Sequence, residues 1–120
     1  MPRFVALYMG WERPEDRAAW NALSAAEQAQ RQQDGIVAWG RWVEQHRAAI
    51  VDMGSPLGKT LMASPAGIAT TRNAITAYVI VEAASHEEAA QMFQEHPHFS
   101  ILPGRSVEIL ECLPMPGTPQ

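Results

Sequence analysis

The sequence predicts an α+β domain in which two helical segments cover one face of a four-stranded sheet. Three observations predict it. Segments with period-2 alternation and segments with three-and-four spacing follow one another in the order strand, helix, strand, strand, helix, strand. The chain has 120 residues, the length of one domain, and 47% of them are apolar, enough for one core. Each helix joins strands that a right-handed crossover makes parallel. This is the split βαβ, or ferredoxin-like, plan. It occupies residues 1–113, and 114–120 form a proline-rich, extended tail.

The first strand is Arg3 to Met9, ended by Gly10. Phe4, Ala6 and Tyr8 face one way and Val5, Leu7 and Met9 the other, so both faces are apolar. Pro14, Glu15 and Asp16 suit the first turn of a short helix. Ser24 and Glu27 have capping-box spacing, and Gly35 kinks or divides the helical segment around it. Ile36, Trp39, Val43, His46, Ile50 and Met53 form one stripe of an amphipathic helix, which Gly54 ends in the C′ position. Leu57 to Ser64 is a second strand interrupted by Gly58 and Lys59, and Ser64-Pro65-Ala66-Gly67 is a turn.

Ile75 to Ala83 is the strongest strand pattern, with Ile75, Ala77, Val79, Val81 and Ala83 on one face and Tyr78 and Ile80 on the other. Ser85 and Glu88 make a capping box for a second helix. Its inner face is Ala89, Met92, Phe93 and His96, and Pro97 stops it. Ser106 to Leu113 alternates into a last strand. Two helices cover one face only, yet the first and third strands are apolar on both. A second copy of the same sheet, related by a two-fold axis, is the economical cover, so a homodimer is expected.

Composition narrows the function. Nine basic and thirteen acidic residues give a net charge of −4 with no basic stripe, which argues against nucleic acid as partner. No apolar run approaches the ~18 residues of a membrane span. The N-terminus has no signal-peptide architecture and Cys112 is the lone cysteine, so a cytoplasmic location is expected. Gly54-Ser-Pro-Leu-Gly-Lys-Thr falls one residue short of a P-loop and follows a helix rather than a strand.

Ala38-Trp39-Gly40-Arg41-Trp42, Ile50-Val51-Asp52-Met53-Gly54-Ser55-Pro56-Leu57-Gly58 and Ala77-Tyr78-Val79-Ile80-Val81-Glu82-Ala83 resemble the YCII-related proteins. So do Ser85 with Glu87-Glu88-Ala89-Ala90, His96-Pro97-His98-Phe99 and Ser106-Val107-Glu108-Ile109-Leu110-Glu111. The resemblance covers roughly residues 36–113. It implies a dimeric α/β barrel with a ferredoxin-like protomer and a cleft for a small organic molecule. Some members have a proposed His–Asp pair; this chain has His96 where some relatives place Asp before the proline, and His98 matches a histidine just after it. The DGPF sequence of one branch is absent, with Ser64-Pro65-Ala66-Gly67 in its place, which argues against that branch's link to transcription factors.

His98 and then His96 are therefore the candidates for cofactor-free acid–base catalysis, because an imidazole titrates near working pH. The alternative is structural, with His96 an inner-face residue and His98 placed against the helix dipole. A His-x-His metal site would need a third ligand from His46 or Glu108, and nothing in the spacing supplies it, so neither metal nor cofactor is expected. His46 on the apolar stripe reads as a hydrogen-bonded core or interface residue. Trp39, Trp42, Tyr78 and Glu108 are the candidate ligand-binding residues. The tryptophans serve equally as core and interface anchors, and a strand-end glutamate as a solvated charge. Lys59 and Arg72 suit an acidic substrate or a wetted surface, Cys112 a buried apolar position, and Trp11 and Trp20 a lid. Two functions remain open: a small-molecule enzyme, and a non-catalytic homodimeric ligand-binding or interaction module.

Overall fold

A computed structural model describes residues 1–10, 14–100 and 106–117. The chain runs β1 (Arg3–Met9), α1 (Pro14–Asn21), α2 (Ala25–Gln45), a 3-10 turn (Arg47–Ala49), β2 (Ile50–Pro56), β3 (Thr60–Ser64), β4 (Gly67–Thr71), β5 (Ile75–Glu82), α3 (His86–Gln91), α4 (Pro97–Ser100) and β6 (Ser106–Glu111). The main sheet has the order β2-β5-β1-β6, with every neighbouring pair antiparallel. The helical crossovers therefore join β1 to β2 and β5 to β6 across an intervening strand, which is the ferredoxin-like α+β arrangement. β3 and β4 form a separate two-stranded hairpin.

Alternation divides the sheet into two faces. Phe4, Ala6 and Tyr8 of β1 lie opposite Val81, Val79 and Ala77 of β5, and Ala6 and Tyr8 lie opposite Ile109 and Val107 of β6. The helices cover this face. Phe4, Ala6, Tyr8, Val79, Val81, Trp42, Ala89 and Phe93 form its buried core, with Trp39, Val43, Met92 and Ile109 packed around them. On the other face, Leu7 lies opposite both Tyr78 and Glu108, and Val5 opposite both Ile80 and Leu110. Val5, Leu7, Tyr78 and Ile80 are half-buried there and Leu110 is exposed.

Helix starts follow the sequence closely. Ser24 Oγ accepts from the Glu27 amide at 3.1 Å while Glu27 Oε1 accepts from the Ser24 amide at 3.0 Å, a complete capping box. At Ser85 only one half forms: its Oγ accepts from the Glu88 amide at 3.1 Å.

Several boundaries differ from expectation. Gly35 is buried inside an unbroken α2 and does not divide it. The helix ends at Gln45, capped by His46, and not at Gly54. Ile36 is 68% exposed and lies off the buried stripe, while Ile50 and Met53 belong to β2. Gly54 is needed for a different reason: its φ is +65°, and a Cβ there would overlap the Tyr78 carbonyl of the neighbouring strand. The second strand of the main sheet is thus 50–56, and the 57–64 segment leads instead into the hairpin, whose turn is the expected Ser64–Gly67. Pro97 opens α4 rather than stopping α3, which ends at Gln91. Cys112 is exposed just beyond β6, not buried.

Candidate functional site

The chemistry-bearing side chains converge where β1, α2 and the α3–α4 segment meet. β1 points Tyr8 toward the helices by strand alternation. α2 presents Trp39 and Trp42, three residues apart on one face. The turn after α3 delivers Phe93 and His96, and α4 delivers His98. α2 packs on α4 and α3 on β6, so both histidines are held from two sides.

His96 is fully buried and His98 is 6% exposed. The His96 ring lies 4.4 Å from the Trp39 ring, 4.6 Å from Trp42 and 5.0 Å from Tyr8, between centroids. Tyr8 in turn lies 4.6 Å from Trp39 and 5.3 Å from His98. Trp42 Nε1–H donates to the Met92 carbonyl at 2.9 Å, which fixes that indole against the α3 end.

The hydrogen bonds determine where the protons sit. The His98 amide donates to His96 Nδ1 at 3.0 Å, so Nδ1 carries a lone pair. In neutral His96 the proton is therefore on Nε2, which lies 3.2 Å from Tyr8 Oη and donates to it. Tyr8 accepts that bond and keeps its own proton to give. His98 Nε2 lies 2.9 Å from the Met9 carbonyl, an acceptor only, so its proton is also on Nε2 and its lone pair on Nδ1. The β1–β5 register slips between Tyr8 and Met9, at the point where the sheet takes this imidazole.

Burial keeps all three groups unionised. Desolvation, with lesser contributions from the His98 and His46 charges, pushes His96 down to about 3. Desolvation also lowers His98, opposed by its bond to the Met9 carbonyl. The Tyr8 phenol is raised well above its ordinary 10.0 by burial. The site thus places a neutral phenol donor and a neutral imidazole base within one aromatic enclosure, a combination suited to moving a proton on a bound molecule.

An open cleft of ≈ 470 Å³ lies beside this cluster, between α3 and β6. Glu87, Ala90, Phe93, Phe99, Val107 and Ile109 line it. Phe93 and Phe99, which line it, have ring centroids 6.1 Å from His96 and 5.8 Å from His98 respectively. A second, more polar hollow of ≈ 290 Å³ lies against Trp42, His46, Met92 and Glu95.

Of the residues singled out in the sequence, His96, His98, Trp39 and Trp42 come together. Tyr78 and Glu108 do not: both sit opposite Leu7 on the face away from the helices. His46 caps α2, and its ring lies tilted 4.7 Å from that of Trp42. Lys59 and Arg72 lie at the base of the β3–β4 hairpin. Trp20 is half-buried and its carbonyl accepts from Gln28 Nε2 at 3.0 Å, while Trp11 lies outside the described residues. Tyr8 and Phe93 escape a reading of the sequence because each has the pattern of a core residue. The apolar parity of β1, with a hydroxyl on its inner face, is the available signal. Among the described residues no group of three or more His, Cys, Asp or Glu could hold a metal ion, and no helix is long and apolar enough to cross a membrane.

No protein-family model matches the chain, and no curated protein does. Among solved structures, it is similar to 5-chloro-2-hydroxyhydroquinone dehydrochlorinase (TftG) from Burkholderia phenoliruptrix AC1100, in complex with 2,5-dihydroxybenzoquinone. The likeness covers 89% of each chain, with 19% sequence identity and a TM-score of 0.50. At that identity it shows the fold, and the strand order β2-β5-β1-β6 agrees: this is a ferredoxin-like α+β protein.

Proposed function

We propose that this chain is a YCII-related, cytoplasmic protein that binds a small, planar organic molecule on the helix-covered side of its sheet. His98 is the base and Tyr8 the proton donor of cofactor-free chemistry on that molecule, and His96 positions Tyr8. The observation that carries the proposal is the pair of hydrogen bonds His96 makes, to Tyr8 Oη and from the His98 amide, which hold the Tyr8 and His98 rings 5.3 Å apart, both neutral, beside an open cleft. The YCII-like motifs and a shared fold with a protein complexed to a dihydroxybenzoquinone support the choice of ligand class. The domain spans 1–113 with a separate tail, and two copies pair through the sheet faces away from the helices. Tyr78 and Glu108 then belong to the intersubunit surface rather than to the cleft.

The test uses 2,5-dihydroxybenzoquinone as probe. Saturable quenching of tryptophan fluorescence is expected in the wild type, with Tyr8→Phe and His98→Gln each weakening it by about tenfold or more while circular dichroism is unchanged. No saturable binding of this probe or of hydroxylated benzenes would sink the proposal. One observation favours a second reading, a non-catalytic module: both nitrogens of His96 are satisfied within the protein. That reading gains if the variants lose thermal stability and bind the probe as well as the wild type does.

A further inference from the structure

The β3–β4 hairpin is regular from Thr60↔Thr71 to Ser64↔Gly67, yet every residue from 61 to 70 is exposed. It packs chiefly strand on strand. Its register places Leu61, Ala63, Ile68 and Thr70 on one side, and Leu61 and Ile68 are 70% and 76% exposed there. An isolated two-stranded ribbon is marginally stable in water. Large apolar side chains at such exposure on a ribbon of this kind call for a surface to cover them.

The dimensions indicate what that surface is. The protomer exposes 8470 Å², whereas a compact monomer of its 13.2 kDa exposes about 6,400 Å². The excess is well above the ~800 Å² that each partner of an ordinary stable complex buries. The molecule is a slab of 54 × 44 × 19 Å with a radius of gyration of 16.6 Å, against about 14 Å for a compact chain of this length. A thin slab with one apolar face open is the shape of half an assembly.

Charge points to the same partner. Residues 57–74 hold two cations, Lys59 and Arg72, and no acid, which leaves the rest of the chain with seven basic and thirteen acidic residues. The open sheet face supplies apolar Val5, Leu7, Ile80 and Leu110 with Glu108 beside Leu7 and Asp52 beside Ile80. An apolar arm with a cationic base complements an apolar face with acidic margins.

We propose that the β3–β4 arm is an intersubunit clasp: it leaves its own protomer and lies along the margin of the open sheet face of a second copy, covering Leu61 and Ile68 and bringing Lys59 and Arg72 to that copy's carboxylates. The inference rests on the proposed pairing of copies through their open faces. Four of its features are independent of the cleft and its histidines, namely the arm's exposure, its charge, the excess area and the slab shape.

Sedimentation velocity and hydrogen exchange on the full chain test it. The wild type is expected to sediment as a dimer at micromolar concentration, with the amides of 60–71 slow to exchange and losing protection on dilution. A Leu61→Asp/Ile68→Asp variant is expected to dissociate about a hundredfold more readily with unchanged circular dichroism. A photo-crosslinking residue at Ala63, which pairs with Ile68 on the covered side, is expected to give adducts of twice the protomer mass in the otherwise native chain, which keeps the test sound if the double variant misfolds. A wild-type dimer that the double variant forms equally well, with fast arm amides and no intermolecular adduct, overturns the clasp and leaves face-to-face pairing standing. A wild type that stays a single protomer overturns both.

Discussion

The two faces of the main sheet are made from the same strands, and alternate residues of β1 and β5 are apolar on both. On one face Phe4, Ala6, Tyr8, Val79 and Val81 are buried under helices of the same chain. On the other, Val5, Leu7, Tyr78 and Ile80 are half-buried and Leu110 is 43% exposed. Alternation assigns residues to a face, but what covers a face depends on the crossover connections. Both crossovers here pass on the same side, because right-handed connections on antiparallel neighbours put them there. The side that received the helices also received every hydrogen-bonded aromatic and imidazole of the cluster. The other received apolar matter with acids at its margins.

The difference should be largest in a core truncation. Phe93→Ala is expected to cost about 3–5 kcal/mol in urea unfolding at low protein concentration, whereas Leu110→Ala costs under about 1 kcal/mol. Comparable losses would erase the distinction between the faces. Gly54→Ala comes next, at about 2–3 kcal/mol, because the left-handed backbone and the Tyr78 carbonyl both refuse a Cβ. A neutral result would mean that β2 is free to shift at the sheet edge.

Acid should act on the helix-covered face through His96. His96 takes up its proton near 6.5 when unfolded and only at about 3 when folded. Between those values the unfolded state holds more protons, so stability is complete above about pH 6.5 and falls as the pH drops, by roughly 1 kcal/mol per unit. His98 shifts the same way. Thermal melts from pH 7 to 4 should show the slope, and His96→Gln should flatten it; an unchanged slope would remove His96 as its source. Smallest for the protomer is Leu7→Glu, under about 1 kcal/mol in the same unfolding assay. Its effect should appear in sedimentation, as loss of the proposed dimer, and a dimer that tolerates it would show that the open face is not where copies meet.

Much of this arrangement is legible in the sequence, and the failures have physical causes. β1 and β5 are bounded within a residue because alternation stops at Gly10 and at the Ser85 cap. The start of α2 is plain from Ser24 and Glu27. Its end is hidden, because Ile50 and Met53 of β2 continue the three-and-four spacing by coincidence and the actual cap, His46, is no glycine. His96 and His98 are visible as polar residues flanking Pro97. That Tyr8 is the hydrogen-bond partner of His96 is not, since the contact spans 88 positions and needs the fold to bring it about. Tyr78 shares aromatic chemistry with the tryptophans but, like Glu108, not their side of the sheet. Strand parity alone puts Tyr78 opposite the side of Val79 and Val81, and it is the signal that separates them.

The His98 amide bonded to His96 Nδ1 carries a last consequence. A main-chain N–H cannot change its role, so the tautomer of one ring is dictated by the position of the peptide that bears the other. Displacing the short 97–100 turn would withdraw that amide and, in the same movement, part His98 from Met9. Both imidazoles would regain their choice of protonated nitrogen together, which makes four residues of backbone the latch on the proton inventory of the whole enclosure.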